Sequence, residues 1–350
     1  MVKRFQSSGR PLTRKEEVLG MVFGLWTIIG LFLDGWAHSH QKPESFFSPW
    51  HAVLYSGFTA AGLWAGWIAW RRRRPERSLL ETMPPGHLAS LVGFGLFGVG
   101  AVGDLIWHEI FGIEANVEAL LSPTHLLLLA GGSIALSAPL RRMLRSNSIE
   151  VSLKDFLPAL LSLTLLTAVG AFFLGYLSPF GTTAVEYSNA TTHTHDLSQI
   201  TPAIGEELRE NWALGSIFVT TIVFVAPALF VRRRWKTSPG TFLFLYTFLL
   251  LLQVGLGEFK QWPLIAIGLV VGVVVDASIQ RELPAWLLGA LVPISTWSAY
   301  FLVFQLQNGV GWSPELWAGV TLMAGLIGGL IGSLASGVTE LERRTAVPGV

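Results

Sequence analysis

Eight histidines are spread over 350 residues, and four of them fall in two copies of one pattern. The first copy is Asp34, His38 and His51; the second is Asp104, His108 and His125. In each copy a His follows the Asp by four residues, and a second His closes the tetrapeptide Ser-Pro-x-His, SPWH at 48–51 and SPTH at 122–125. Residues four apart on a helix share a face, so Asp-x3-His aims both side chains at one point. One carboxylate and two imidazoles make a ligand set for copper, zinc or non-haem iron, with positions left for water, oxygen or substrate. Two axial histidines could instead hold haem, but haem has no need of the repeated aspartate. A single boundary His needs only a wet interface. Repetition of the whole triad favours a ligand set, because a buried ionisable group costs on the order of several kcal/mol unless it is paired or metal-bound.

These residues must be carried by membrane helices. Hydrophobic residues make up 51% of the chain and charged residues 13%, and the mean hydropathy is +0.52, beyond what a water-exposed surface tolerates. Apolar runs reach the roughly 20 residues that a helix needs to cross hydrocarbon, too long for tilted barrel strands. The sequence therefore predicts an all-α, polytopic helical bundle. About ten spans are expected, near 18–37, 49–70, 86–107, 122–140, 155–179, 213–231, 240–258, 263–280, 285–306 and 316–336. The first apolar run is expected to stay as a helix, since it lacks a clear cleavage site. Cysteine is absent, which removes thiolate ligands, iron-sulfur clusters and disulfides.

Basic clusters precede the first span and recur at Arg71–Arg77, Arg141–Arg145, Arg232–Lys236, Arg281 and Arg343–Arg344. With ten spans all of them lie on one side, so the positive-inside rule puts both termini in the cytoplasm and the triads near the outer face. In the returning helix of each hairpin, Ser48 or Ser122 is placed to cap, Pro49 or Pro123 suits the first helical position, and the second His falls in the first turn. The chain thus reads as a duplicated hairpin region over 1–145 and a six-helix region of unknown role over 146–350. Nothing in the pattern points to nucleic acid.

At these residues the chain resembles the C subunit of copper-dependent membrane monooxygenases, the particulate methane and ammonia monooxygenases. Asp34, His38 and His51 keep the spacing of one copper site of that family, in the context FFSPWHAVLY with Tyr55 after the ligand. Asp104, His108 and His125 match its second site, except that Asp104 stands where the family has Asn and the following loop is longer. The resemblance covers residues 18–140. It implies copper, dioxygen and insertion of one oxygen into a strong C–H or N–H bond of a small apolar substrate. It also implies A-like and B-like partner subunits or a homo-oligomer, an external electron donor, and a prokaryotic cytoplasmic membrane. The alternative is a non-enzymatic protein that binds or moves copper or another transition metal. Against transport, the first four helices carry almost no ionisable residues between the triads and the inner arginines.

Further polar marks remain. His193, His195 and Asp196 form a candidate metal-capture patch in the large outer loop, and Glu109, Glu114 and Glu118 could add an oxygen ligand or a proton relay, or simply be solvated. His40 is a substitute ligand that points away from His38. Glu258 and Lys260 are placed to pair with each other. Asp276 reads either as part of an ion path or as the partner of Arg281, and His87 as a cap or a wetted helix end.

Overall fold

The computed structural model describes residues 9–40, 42, 48–112, 120–181, 185 and 202–346. Nearly all of these residues are helical. In chain order the helices are α1 (Arg14–Ser39), α2 (Pro49–Arg72), the single turn α3 (Leu79–Thr82), α4 (His87–Phe111), α5 (Pro123–Leu136) and α6 (Ala138–Met143). They continue with α7 (Leu153–Phe173), α8 (Pro202–Arg234), α9 (Thr241–Leu256), α10 (Ile265–Gln280), α11 (Ala285–Gln307) and α12 (Pro314–Ala346). A two-residue parallel pairing of Glu150–Val151 with Lys236–Thr237 and an isolated bridge at Val310 are the β structure among the described residues.

Among the described residues eight helices are long and apolar enough to cross a bilayer, and α5 and α9 are shorter apolar helices. The chain is an integral membrane protein. The fourth expected span is shortened because α5 stops at Ser137 and α6 restarts with Pro139 in its first turn. A proline there has no N–H to continue the ladder of α5.

The chain divides into two compact units. The first holds residues 1–148 with 154–176, and the second 149–153 with 177–350. The first unit therefore holds a fifth long helix, α7, beside the four of the duplicated region. Ser162 on α7 donates to the carbonyl of Leu136 on α5 at 2.6 Å, and Phe172 meets Phe32 of α1 with ring centroids 5.1 Å apart.

Within the first unit α1 pairs with α2 and α4 with α5. Each pair closes on glycine. A Cβ on Gly30 would lie 2.4 Å from the backbone of Leu54, and one on Gly57 2.6 Å from the nitrogen of Thr27. The second pair repeats this with Gly100 against Leu128 at 3.1 Å and Gly131 against the nitrogen of Phe97 at 2.4 Å. Gly30 and Gly100 each precede the triad Asp by four residues, and Gly57 and Gly131 each follow the second His by six. Only a residue without a side chain lets the two backbones approach this closely. The duplication thus extends beyond the polar residues to the contacts that set helix spacing.

The second unit is built around stacked aromatic side chains. Trp297, Tyr300, Phe180, Phe224 and Tyr246 are all fully buried, and their polar atoms are satisfied. Trp297 donates to Thr221 Oγ1 at 2.9 Å, Tyr300 to the Pro179 carbonyl at 3.1 Å and Tyr246 to the Phe224 carbonyl at 2.6 Å. Asp276 on α10 is buried as well. Its carboxylate accepts from the backbone nitrogens of Gly240, Phe242 and Leu243 at 2.9, 3.1 and 3.1 Å. It therefore caps the start of α9 from a neighbouring helix, which replaces both earlier readings of this residue. A carboxylate satisfies the orphan N–H groups there and complements the positive end of the helix dipole. Glu258 and Lys260 do pair, at 3.0 Å on the surface.

Candidate metal centres

Each triad is positioned by one helix end and one helix start. The Asp and first His lie in the last turns of α1 and α4. The second His lies in the first turn of α2 and α5, behind a serine cap and a proline. The caps have nearly the same backbone, φ −64° and ψ 156° at Ser48 against φ −61° and ψ 150° at Ser122. Ser48 Oγ accepts from the backbone nitrogen of His51 at 3.4 Å, and Ser122 Oγ from that of His125 at 3.3 Å. The cap fixes the entry of each returning helix, and with it the direction of the histidine three residues on.

In both triads one ligand atom from each of the three residues lies within 4.8 Å of the others, close enough to hold a metal ion. In site one, His51 Nε2 is 3.0 Å from Asp34 Oδ1 and His38 Nε2 is 3.7 Å from Asp34 Oδ2. In site two, His125 Nε2 and His108 Nε2 are each 3.4 Å from an oxygen of Asp104. Asp34, His51 and Asp104 are buried, and His38, His108 and His125 are half-buried.

The hydrogen bonds around the triads fit a cation. Asp34 Oδ1 is buried and accepts no hydrogen bond among the described residues, although His51 Nε2 lies 3.0 Å away. A buried carboxylate oxygen left in that state is costly. His108 places Nδ1 3.2 Å from the Gly112 carbonyl. A carbonyl only accepts, so Nδ1 carries the hydrogen, and in a neutral ring Nε2 turns its lone pair toward Asp104. Lone pair and carboxylate repel unless a proton or a cation lies between them. The carbonyl contact on the far nitrogen is the usual support of a metal-ligating imidazole.

The two sites are neighbours. His38 lies within electrostatic range of His108 and His125, and Tyr55 of both Asp34 and Asp104. The Tyr55 ring is 5.8 Å from that of His51.

Sequence reasoning missed Thr124. This side chain sits inside SPTH and donates to Asp104 Oδ1 at 2.9 Å. The matching position in site one is Trp50, whose indole nitrogen is buried without a hydrogen-bond partner among the described residues. The glycines four before the Asp and six after the His were also missed, although their offsets stand in the sequence.

Other candidates lie elsewhere. His40 turns its Nδ1 to the Trp36 carbonyl at 2.8 Å and takes no part in the triad. Glu109 is exposed and is not one of the converging ligands. Glu114, Glu118, His193, His195 and Asp196 fall outside the described residues. His87 is buried, with Nε2 2.9 Å from the Ala65 carbonyl, so it neither caps nor wets its helix end.

No protein-family model, curated protein or solved structure matches this chain.

Proposed function

We propose that this protein is a copper protein of a prokaryotic cytoplasmic membrane, resembling a monooxygenase C subunit, that oxidises a small apolar substrate with dioxygen. In this reading ten helices span the bilayer, counting α5 and α9, with both termini cytoplasmic and both triads near the outer face. The convergence of an Asp and two His twice over, on neighbouring hairpins, is the observation that carries it. Copper suits two imidazoles and one carboxylate, and when bound it would supply the redox chemistry.

The residues of the chain have separate tasks. Asp34 and Asp104 offset the charge of the ions, and the Gly112 carbonyl and Thr124 orient His108 and Asp104. Leu54 and Leu128, three residues beyond the second His of each triad, are buried between the helices and help to exclude water below the sites. A-like and B-like subunits or further copies of the chain would complete the assembly, and electrons would come from an external donor.

The test is copper electron paramagnetic resonance of the purified, copper-loaded protein, combined with oxygen uptake in membranes given a reductant and a gaseous alkane. Nitrogen hyperfine structure and alkane-dependent uptake are expected. Nitrogen-ligated copper without uptake would leave a binding protein and overturn the oxidase reading. A spectrum without nitrogen ligation would overturn the copper reading itself.

A further inference from the structure

The first unit contains a cavity far from the triads. Its volume is about 60 Å³, and Glu17 on α1 is one of its lining residues. Glu17 is seventeen residues before Asp34, a rise of about 25 Å along the helix. Met21, Ala61, Trp64, Ile68 and Phe94 are among its apolar lining residues. That mainly apolar lining with a few polar groups suits a small organic guest.

The polar groups on the wall restrict what the guest can be. Glu17, almost fully buried, is held by Arg142 through Nε and through Nη2 at 2.7 Å. Glu16 is held by Arg72 at 2.9 Å. Ser90 donates to the Ala135 carbonyl at 3.0 Å and accepts from Arg141 at 3.1 Å. Both acids on the wall thus have a basic partner. His87 differs. It is only 4% exposed, and its one hydrogen bond runs from Nε2 to the Ala65 carbonyl. Because a carbonyl only accepts, Nε2 carries the hydrogen, and Nδ1 of the neutral ring keeps a lone pair that only a donor can satisfy.

We propose that this cavity binds a neutral, mainly apolar molecule carrying a hydroxyl, which donates to His87 Nδ1 while its body packs against Trp64, Phe94 and Ile68. A phenol is the simplest member of this class. The site is independent of the metal centres and does not rest on the copper reading.

The test uses the full chain in nanodiscs, with empty nanodiscs as the blank, and ¹⁹F NMR of 4-fluorophenol and 4-fluoroanisole. Saturable broadening of 4-fluorophenol is expected, with the anisole, which has no O–H, binding ~10-fold more weakly. His87→Phe should bind the two probes alike. Ala61→Leu fills the cavity while leaving His87 in the chain and should abolish phenol binding, which keeps the test decisive should His87→Phe fail to fold. Equal affinity for the two probes in the unaltered protein would overturn the proposal. So would phenol binding that survives Ala61→Leu, or no saturable broadening at all, the outcome if a lipid tail fills the cavity.

Discussion

Site one and site two occupy equivalent places in a repeated hairpin, yet their carboxylates are held differently. In site one Asp34 Oδ1 accepts no hydrogen bond, and its imidazoles stand at unequal distances, 3.0 and 3.7 Å. In site two Thr124 donates to Asp104 Oδ1 and both imidazoles stand at 3.4 Å. The helix contacts beneath differ at one glycine of each pair, while Gly131 lies as close to Phe97, at 2.4 Å, as Gly30 does to Leu54. Gly30 is pressed against the backbone of Leu54 more closely than Gly100 is against Leu128. The caps and ligands thus share one geometry, while the support around each carboxylate differs. The second carboxylate is held by a side-chain hydrogen bond that the first lacks.

Substitutions can break this comparison in graded ways. The largest effect is expected from Asp34→Ala and Asp104→Ala, each of which should weaken its own site by more than ~100-fold, judged against the 10–100-fold typical of lost outer contacts, and leave the other site loaded. Metal titration of the two variants side by side checks this. Gly30→Ala comes next. Its Cβ would meet backbone, so a loss of about 1–3 kcal/mol in unfolding stability is expected, with weaker metal binding at site one. Gly100→Ala, at 3.1 Å, should cost less and act on site two. Thermal unfolding in detergent distinguishes the pair, and equal shifts would contradict the difference in packing.

Thr124→Val keeps the shape of the side chain and removes the hydroxyl. It should weaken site two by roughly tenfold through loss of carboxylate orientation, and site one should not change. The smallest effect is expected from His40→Ala. His40 bonds to the Trp36 carbonyl rather than joining the triad, so metal content should stay the same and stability should change by about 0.5 kcal/mol or less. A drop in metal content would mean that His40 ligates in place of His38.

The triads were legible in the sequence because their geometry is local. A four-residue spacing on a helix and a Ser-Pro cap three residues before a His each fix a direction without any knowledge of the fold. The glycines were equally present at fixed offsets, but their meaning depends on which helices pair. Thr124 occupies the variable place in Ser-Pro-x-His, where no spacing rule separates a hydrogen-bond donor from Trp50. Asp276 and His87 were misread because their partners, Gly240 and Ala65, lie on other elements. Likewise, the membership of α7 in the first unit follows from packing against α1 and α5, which periodicity cannot show. The end of α5 at Ser137 was foreshadowed by Pro139, but the span was read through it.

The central claim is that each triad binds one metal ion. The most direct measurement is the metal content per chain of the purified, metal-saturated protein, compared with His51→Ala, His125→Ala and the double variant. About two ions per chain are expected for the unaltered protein, about one for each single variant and none for the double. A metal content that does not change in the single variants would contradict the account.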